Sequence, residues 1–289
     1  MWRKRVIRFL KPIGERYPGA ARSLRRWRDD RRLRRVVQES PAGFRFVGEP
    51  EMEDGSYELE ETRTVQHVLD HVDVFINVGA NSGYYCCHAL QKGRNAIAFE
   101  PLYDNLRYLY KNIMANGWED EIEVFPLALS DQTGIVQIYG GGPVASLLPG
   151  WAATPGQYVE AVPASTLDTV LGDRFLGRRC LVLVDVEGAE RRVLEGGRAL
   201  LAADPKPFWM VEILVSELQP GGVTVNPNLL ATFGIFWQMG YEAWTAESVP
   251  RAVYRDEVEA VATTGRDTFG GHVFLFVEPG RMAELYGSQ

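Results

Sequence analysis

Cysteine is scarce, with three residues in 289, at Cys86, Cys87 and Cys180. Three thiols cannot build a disulfide framework and their spacing fits no metal-ligand pattern, so a reducing compartment is expected. Cys86 and Cys87 fall within a predicted helix, where ordinary packing accounts for them. No apolar run approaches the roughly 20 residues needed to cross a bilayer. A secretory signal is not expected either, because Arg8 and Lys11 interrupt the one apolar core at the start. Internal repeats are missing, and so is the Gly-x-Gly-x-x-Gly of dinucleotide enzymes.

The length suits one large domain or two small ones, and an apolar content of 46% allows a sizeable core. The net charge of −7 hides an asymmetry. Residues 1–35 hold 14 Lys/Arg against 3 Asp/Glu, a net of +11, while the remainder carries −18. Trp2, Val6, Phe9, Leu10, Ile13 and Tyr17 recur at helical spacing within that basic stretch. A greasy stripe framed by arginine suits an anionic membrane surface. The alternative is an arm that packs on the acidic body or lies solvated. Glu15, Asp29 and Asp30 argue against a transit peptide. Pro41, Gly48 and Pro50 mark the boundary, giving a basic arm over 1–42 and a body over 43–289. A cytoplasmic protein, peripheral at the membrane, is expected; nucleic acid is not expected as a partner.

The body is organised around residues 73–83, Asp-Val-Phe-Ile-Asn-Val-Gly-Ala-Asn-Ser-Gly. This reads as a buried strand that breaks at Gly79 and restarts as a helix near Gly83, the first half of a βαβ unit. Glycine at both positions lets the backbone approach a ligand closely, and free N–H groups at the helix start favour negative charge. The next strand, 96–99, ends in Glu100 and Pro101. Glu100 lies 21 positions past Gly79, where nucleotide-binding folds place the acid that grips a ribose; a solvated strand-end acid is the alternative. A helix over 102–116 and a strand over 122–127 lead into Ala128, Leu129, Ser130 and Asp131.

Residues 134–139 and 158–162 are predicted to pair as a hairpin around the glycine-rich stretch 140–156, a candidate binding loop containing Ser146 and Trp151. After a short helix over 166–171, a fully apolar strand (181–184) ends in Asp185-Val186-Glu187-Gly188-Ala189-Glu190. Three acids within six residues at a strand end are costly unless something uses them. The strand 208–214 carries Glu212 in an apolar setting, where an ion pair with Arg191 or Arg192 would also account for it. A helix (229–239), a strand (241–244), a polar insertion (247–271) and a last strand (273–277) complete the chain. Alternating strands and helices predict an α/β fold with a mainly parallel sheet, whose ligands sit beyond the strand carboxyl ends.

Five ordered segments (75–83, 98–101 with Asn105, 128–131, 166–171 and 185–190) together resemble the FkbM-type family of S-adenosylmethionine-dependent methyltransferases. The resemblance implies a Rossmann-like class I methyltransferase sandwich, with a seven-stranded, mostly parallel sheet and an antiparallel last strand. It implies S-adenosylmethionine as cofactor and O-methylation of a hydroxyl on a sugar, glycan or natural product, so the partner is a small-molecule or glycan acceptor. Asn77, Gly79, Ala80, Asn81 and Gly83 would then face the methionine part of the cofactor. Glu100 with Pro101 would take the ribose, and Leu129, Ser130 and Asp131 would flank the adenine. Asp185 and Glu187 would lie near the reactive methyl. The family usually has an acid where this chain has Asn77, so a charge-assisted bond becomes a neutral one, roughly half as strong.

A sugar hydroxyl needs a base to take its proton during transfer. Asp185, Glu212 and His272 are the candidates, His272 because an antiparallel last strand would start on the cofactor side. No metal ligand is assigned, although a carboxylate pair holding a divalent ion is the alternative to a base. Two competing readings are a catalytically weak cofactor-binding or membrane-associated interaction protein, and a nicotinamide-dependent oxidoreductase. The missing glycine motif and the acid cluster, which repels phosphate, argue against the latter.

Overall fold

The computed structural model describes residues 18–154 and 158–287. The apolar stripe Trp2, Val6, Phe9, Leu10, Ile13 and Tyr17 lies outside the described residues.

The chain begins with α1 (Pro18–Leu33), the short strands β1 (Gln38–Glu39) and β2 (Arg45–Phe46), and helices α2 (Pro50–Glu53) and α3 (Leu59–Leu69). The nucleotide-type half follows: β3 (Val74–Val78), α4 (Tyr84–Gln91), β4 (Asn95–Phe99), α5 (Tyr103–Asn116) and β5 (Ile122–Phe125). Next come β6 (Ala128–Leu129), β7 (Gly134–Tyr139), β8 (Val159–Ser165) and α6 (Leu167–Leu171). The second half holds β9 (Cys180–Val184), α7 (Glu190–Glu195), α8 (Arg198–Leu201), β10 (Phe208–Glu212) and α9 (Leu229–Gln238). The chain closes with β11 (Glu242–Thr245), β12 (Ala252–Val253), α10 (Arg255–Thr264), β13 (Val273–Val277) and α11 (Met282–Tyr286).

The main sheet has the order β12-β11-β13-β10-β9-β3-β4-β5. Strands β10, β9, β3, β4 and β5 run parallel, so their carboxyl ends share one edge. Strand β13 enters antiparallel, with Glu212 opposite Val273, and therefore starts at that same edge. The alternation of strand residues explains the layers. Val74, Ile76 and Val78 of β3 join one core with α6 to α10, whereas Phe75 joins the other with α2 to α5 and α11. All five β3 positions are buried, as a central parallel strand requires. A second sheet, β6-β8-β7, contains the expected hairpin, with Gly134 opposite Ala164 and Tyr139 opposite Val159.

The sheet departs from the seven-stranded expectation by an added edge. The stretch 247–271 is not a plain polar insertion: it forms β12, which pairs antiparallel with β11, and then α10. Val258 and Val261 anchor α10 to the core, and Arg251 clamps Glu257 at 2.8 Å. Helix α1 is not solvated throughout. Tyr108 donates to Asp29, Arg107 pairs with Asp30, Lys111 donates to the Leu33 carbonyl, and Arg32 pairs with Glu49.

Candidate active site

Strand β3 stops at Gly79 because two neighbours converge there. The Gly79 and Ala80 amides both donate to the Phe99 carbonyl at the end of β4, each at 2.9 Å. On the other side a Cβ on Gly79 would lie 1.8 Å from the Asp185 carbonyl oxygen. With φ at +86°, the position admits only glycine. The turn then passes through Asn81 in the left-handed region (φ 48°), and Gly83 (φ 81°) opens α4. Behind the turn, fully buried Asn112 accepts from the Val47 amide and donates to the Val47 and Ser82 carbonyls, fixing the loop to the preceding segment.

Glu100 closes the next strand and is buried, not solvated. Its two oxygens accept separately from the Asn81 and Leu102 amides, each at 2.8 Å. Burial raises its pKa to about 7, and those amide bonds oppose the rise. The cleft beside it is lined by Gly79, Asn81, Glu100, Pro101 and Leu102 on one wall. Leu127, Leu129 and Ile138 form an apolar wall, and Gly142, Pro143, Ala145 and Leu147 cover it. Asp185 and Glu187 stand at its inner end. A larger cleft of about 740 Å³ adjoins it, shares Asn81, Leu102 and Asn105, and is bordered by Tyr57, Tyr103 and Tyr158.

Asp185, Glu187 and Glu212 gather where β9 and β10 end, each offering an oxygen within 4.8 Å of the others. Burial raises the Asp185 pKa, while its hydrogen bond with Glu212 opposes the rise. Burial and then the Asp185 charge push Glu212 up to about 11. The two carboxyls are both raised and hydrogen-bonded to each other, so the pair holds on to a proton that separate carboxylates would lose. The other Asp185 oxygen, Oδ1, is sealed from solvent and has no partner. Glu187 rises to about 8, through burial and then Asp185. Glu190, raised by burial to about 7, accepts from the Gly188 amide at 2.8 Å.

The loop after β7 roofs this cluster. Trp151 Nε1 donates to Glu187 Oε2 at 2.7 Å, and Ser146 Oγ donates to the Glu187 carbonyl at 2.5 Å. The Trp151 ring lies over Gly188, where a Cβ would come within 2.6 Å of it. From the amino-terminal side, Glu58 is exposed overall but turns its carboxylate inward, where Tyr85 donates to it at 2.8 Å. Burial of that end, with the Asp185 charge adding, raises its pKa.

The sequence-derived candidates separate into two groups. Gly79, Asn81, Glu100, Pro101, Leu129, Asp185 and Glu187 line the cleft, and Glu212 bonds to Asp185. Asn77, Ala80, Gly83, Ser130, Asp131 and His272 are not among the lining residues. Asn77 is buried on the α4 side of β3, its amide 3.6 Å from Cys86 Sγ and its carbonyl oxygen without a partner. Ala80 and Gly83 shape the turn from behind it. Ser130 is buried and donates to the exposed Asp131 side chain, while its amide bonds to Ser165 of β8. His272 is at the right end of the sheet, its carbonyl accepting from the Ile213 amide at 2.7 Å. Its ring groups with Glu217 and Asp267 instead of with Asp185. Among the described residues Glu212 has no arginine partner; burial and then the Asp185, Glu187 and Glu190 carboxylates act on it. Tyr57, Glu58, Tyr85 and Asn112 had no signal in the sequence, since only packing brings them here.

A family model, the methyltransferase FkbM domain, matches residues 77–242. Similar solved structures include the methyltransferase FkbM from Methylobacillus flagellatus KT, with 18% identity, 49% of this chain and 32% of that one covered, and a TM-score of 0.36. The cofactor-bound Rv0187 from MTB is 12% identical over 76% of this chain and 79% of that one, with a TM-score of 0.42. An O-methyltransferase from Bacillus cereus in complex with SAH is 10% identical over 76% and 80%, with a TM-score of 0.43. The chain spans about a third of the Methylobacillus protein's length. A comparison with curated proteins finds no match. The family model covers more than half of the chain and takes in the ends of β3, β4, β9 and β10. The chain belongs to the FkbM methyltransferase domain family, and its cofactor is S-adenosylmethionine.

Proposed function

We propose that this chain methylates a hydroxyl oxygen on a sugar, glycan or natural product. The observation that carries the reading is the Asp185 carboxylate, which lines the cleft together with the Gly79 turn and is hydrogen-bonded to Glu212 at the end of β10. The cleft suits the cofactor: the backbone of the Gly79 turn lines it, an acid stands at the ribose position, and Leu127, Leu129 and Ile138 offer an apolar wall to a flat base. When bound, S-adenosylmethionine supplies an electrophilic methyl group on a cationic sulfur. Glu100 would hold the ribose hydroxyls and the 79–81 turn would hold the amino-acid end. Trp151 and Ser146 keep Glu187 in place and shield the acids from water. Asp185 would take the acceptor proton as the hydroxyl oxygen bonds to the methyl carbon and the carbon–sulfur bond breaks, with S-adenosylhomocysteine leaving, while the Glu212 bond orients the carboxylate. The adjoining cleft has room for an acceptor.

The test is incubation with methyl-labelled S-adenosylmethionine and a panel of sugars, glycans and hydroxylated natural products. Label should appear in a methyl ether, and Asp185→Asn should lower turnover by roughly 10²–10⁴ while leaving cofactor affinity intact. Label found only on nitrogen or carbon would overturn the reading.

We further propose that the basic arm, residues 1–42 ahead of the methyltransferase body 43–289, holds this cytoplasmic protein at an anionic membrane. No helix among the described residues is long and apolar enough to cross a membrane. On α1, however, Leu24 and Trp27 are 62% and 59% exposed, with Arg31 over the Trp27 ring at 5.8 Å. The side bearing Asp29 and Asp30 is tied to α5, so the apolar pair is left free to face a lipid surface. Replacing both Leu24 and Trp27 by Ala should reduce sedimentation with phosphatidylglycerol vesicles but not calorimetric cofactor binding. Equal partitioning of both proteins would rule this out.

A further inference from the structure

The larger cleft has three different walls. Helix α1 supplies Arg26, Arg28 and Arg32, the first turn of α5 supplies Tyr103, and residues 140–142, all glycine, close the third side. Its volume, about 740 Å³, lies within the roughly 300–1,000 Å³ of pockets that take drug-sized ligands, more than one sugar ring fills. Charge on these walls meets a partner at once. Arg32 pairs with Glu49 at 2.8 Å, Arg28 with Asp29 at 3.4 Å, and Asp104 lies 3.9 Å from Arg107. Arg26 adds one cation beside those three carboxylates, so an anionic ligand gains little and meets like charge. The other feature is aromatic. Tyr103 is 60% exposed, its ring lining the cleft instead of entering the core, and Tyr57 and Tyr158 border the same space. A tyrosine ring is rigid and amphipathic, so it covers the C–H face of a sugar while polar groups around it meet the hydroxyls. The glycines bring bare backbone to the ligand.

We infer that this cleft is the acceptor site and takes an uncharged glycan of more than one sugar, stacked on Tyr103. Of the acceptor classes proposed above, a glycan uses the length of the cleft and offers a hydroxyl to each polar group along it. An apolar natural product would instead cover the ion pairs of α1 without hydrogen-bonding them, which is costly. Asn81, Leu102 and Asn105 border both clefts, so a chain lying in the larger one presents a hydroxyl towards the cofactor. Helix α1 thereby serves as a wall of the acceptor site. Spacing could not show it, since α1 reaches the cleft only through its bonds to α5, from Tyr108 to Asp29 and from Arg107 to Asp30. Methylation of the bound chain rests on the methyl-transfer reading; its binding does not.

The full chain, with S-adenosylhomocysteine present, is screened on a printed array of neutral, acidic and amino-bearing glycans. The strongest ligand is then titrated by calorimetry beside its own monosaccharide. It should be a neutral chain, and the monosaccharide should bind at least roughly 10-fold more weakly. Tyr103→Ala should also lose roughly 10-fold, as expected when the cover of one aromatic ring is removed. Tyr103→Phe keeps the ring and should keep most of the affinity. Both variants change an exposed side chain outside the cofactor cleft, so both should bind S-adenosylhomocysteine as the parent does, which shows that they fold. No glycan bound, a preference for charged chains, or full affinity in Tyr103→Ala overturns the inference. A neutral glycan that binds as expected but takes no methyl group from S-adenosylmethionine upholds the site and counts against the methyl-transfer reading. Methyl transfer to a natural-product hydroxyl by a protein that binds no glycan does the reverse.

Discussion

Gly79 carries the tightest constraint in the site. Its added Cβ would meet backbone at 1.8 Å, and backbone cannot swing aside as a side chain can. Gly79→Ala should therefore cost at least roughly 1–3 kcal/mol, the usual range for overpacking, and abolish cofactor binding. Urea denaturation and calorimetry check the two effects, and an unperturbed variant would contradict the close approach. This glycine was legible in the sequence because a buried apolar strand that breaks in glycine marks a tight turn with something packed close against it. Glu100 was legible by position, but not its burial: a place at a strand end does not show that the acid holds two amides of the fold. The roles of Glu58 and Asn112 were invisible, since each acts on residues distant in sequence. His272 was placed at the correct end of the sheet but with the wrong neighbours, because strand direction fixes an end and not a rotamer.

At the scale of elements, the loop after β7 is the part whose packing decides the chemistry. Glycine content marked it as a binding loop, but nothing in its pattern showed Trp151 sealing the acids. The indole bond favours the ionised form of Glu187. Trp151→Phe keeps the ring over Gly188 and removes the donor. Its cost should be about 0.5–1.5 kcal/mol at pH 6, where Glu187 is neutral, and rise towards 1.5–3 kcal/mol above pH 8, where it is charged. Denaturation at the two pH values measures the difference; an equal cost at both would mean that Glu187 does not ionise in this range. The 247–271 stretch hid its helix for a simple reason. Only Val258 and Val261 of α10 are buried, too few to outweigh the polar residues around them.

For the whole molecule, the central order of parallel strands followed from periodicity and from apolar runs, whereas the two-residue strand β12 was too short to leave a pattern. The buried acids also govern global stability. Glu100 and Glu190 titrate at about 7, Glu187 at about 8 and Glu212 at about 11, against 4.5 for an unburied glutamate. The native state therefore keeps protons that the unfolded chain has lost, and stability falls as pH rises from about 4.5. Each such group contributes a slope of roughly 1.4 kcal/mol per pH unit until its native pKa is passed. The cofactor-free protein should melt higher at pH 5.5 than at pH 8.5. A melting temperature that climbs across this range would show that the acids are ionised and compensated in the native state.

The central claim is that the cleft between the Gly79 turn and Glu100 is the cofactor site. It is tested most directly by calorimetric titration of S-adenosylhomocysteine into the full chain and into Glu100→Ala, side by side. One molecule should bind per chain, and the variant should lose roughly 1.5–3 kcal/mol of binding free energy, the range for hydrogen bonds to a charged group. The variant should also melt lower, because the Asn81 and Leu102 amides lose their acceptor. No binding by the parent chain, or equal affinity in a variant that still folds, would contradict the account.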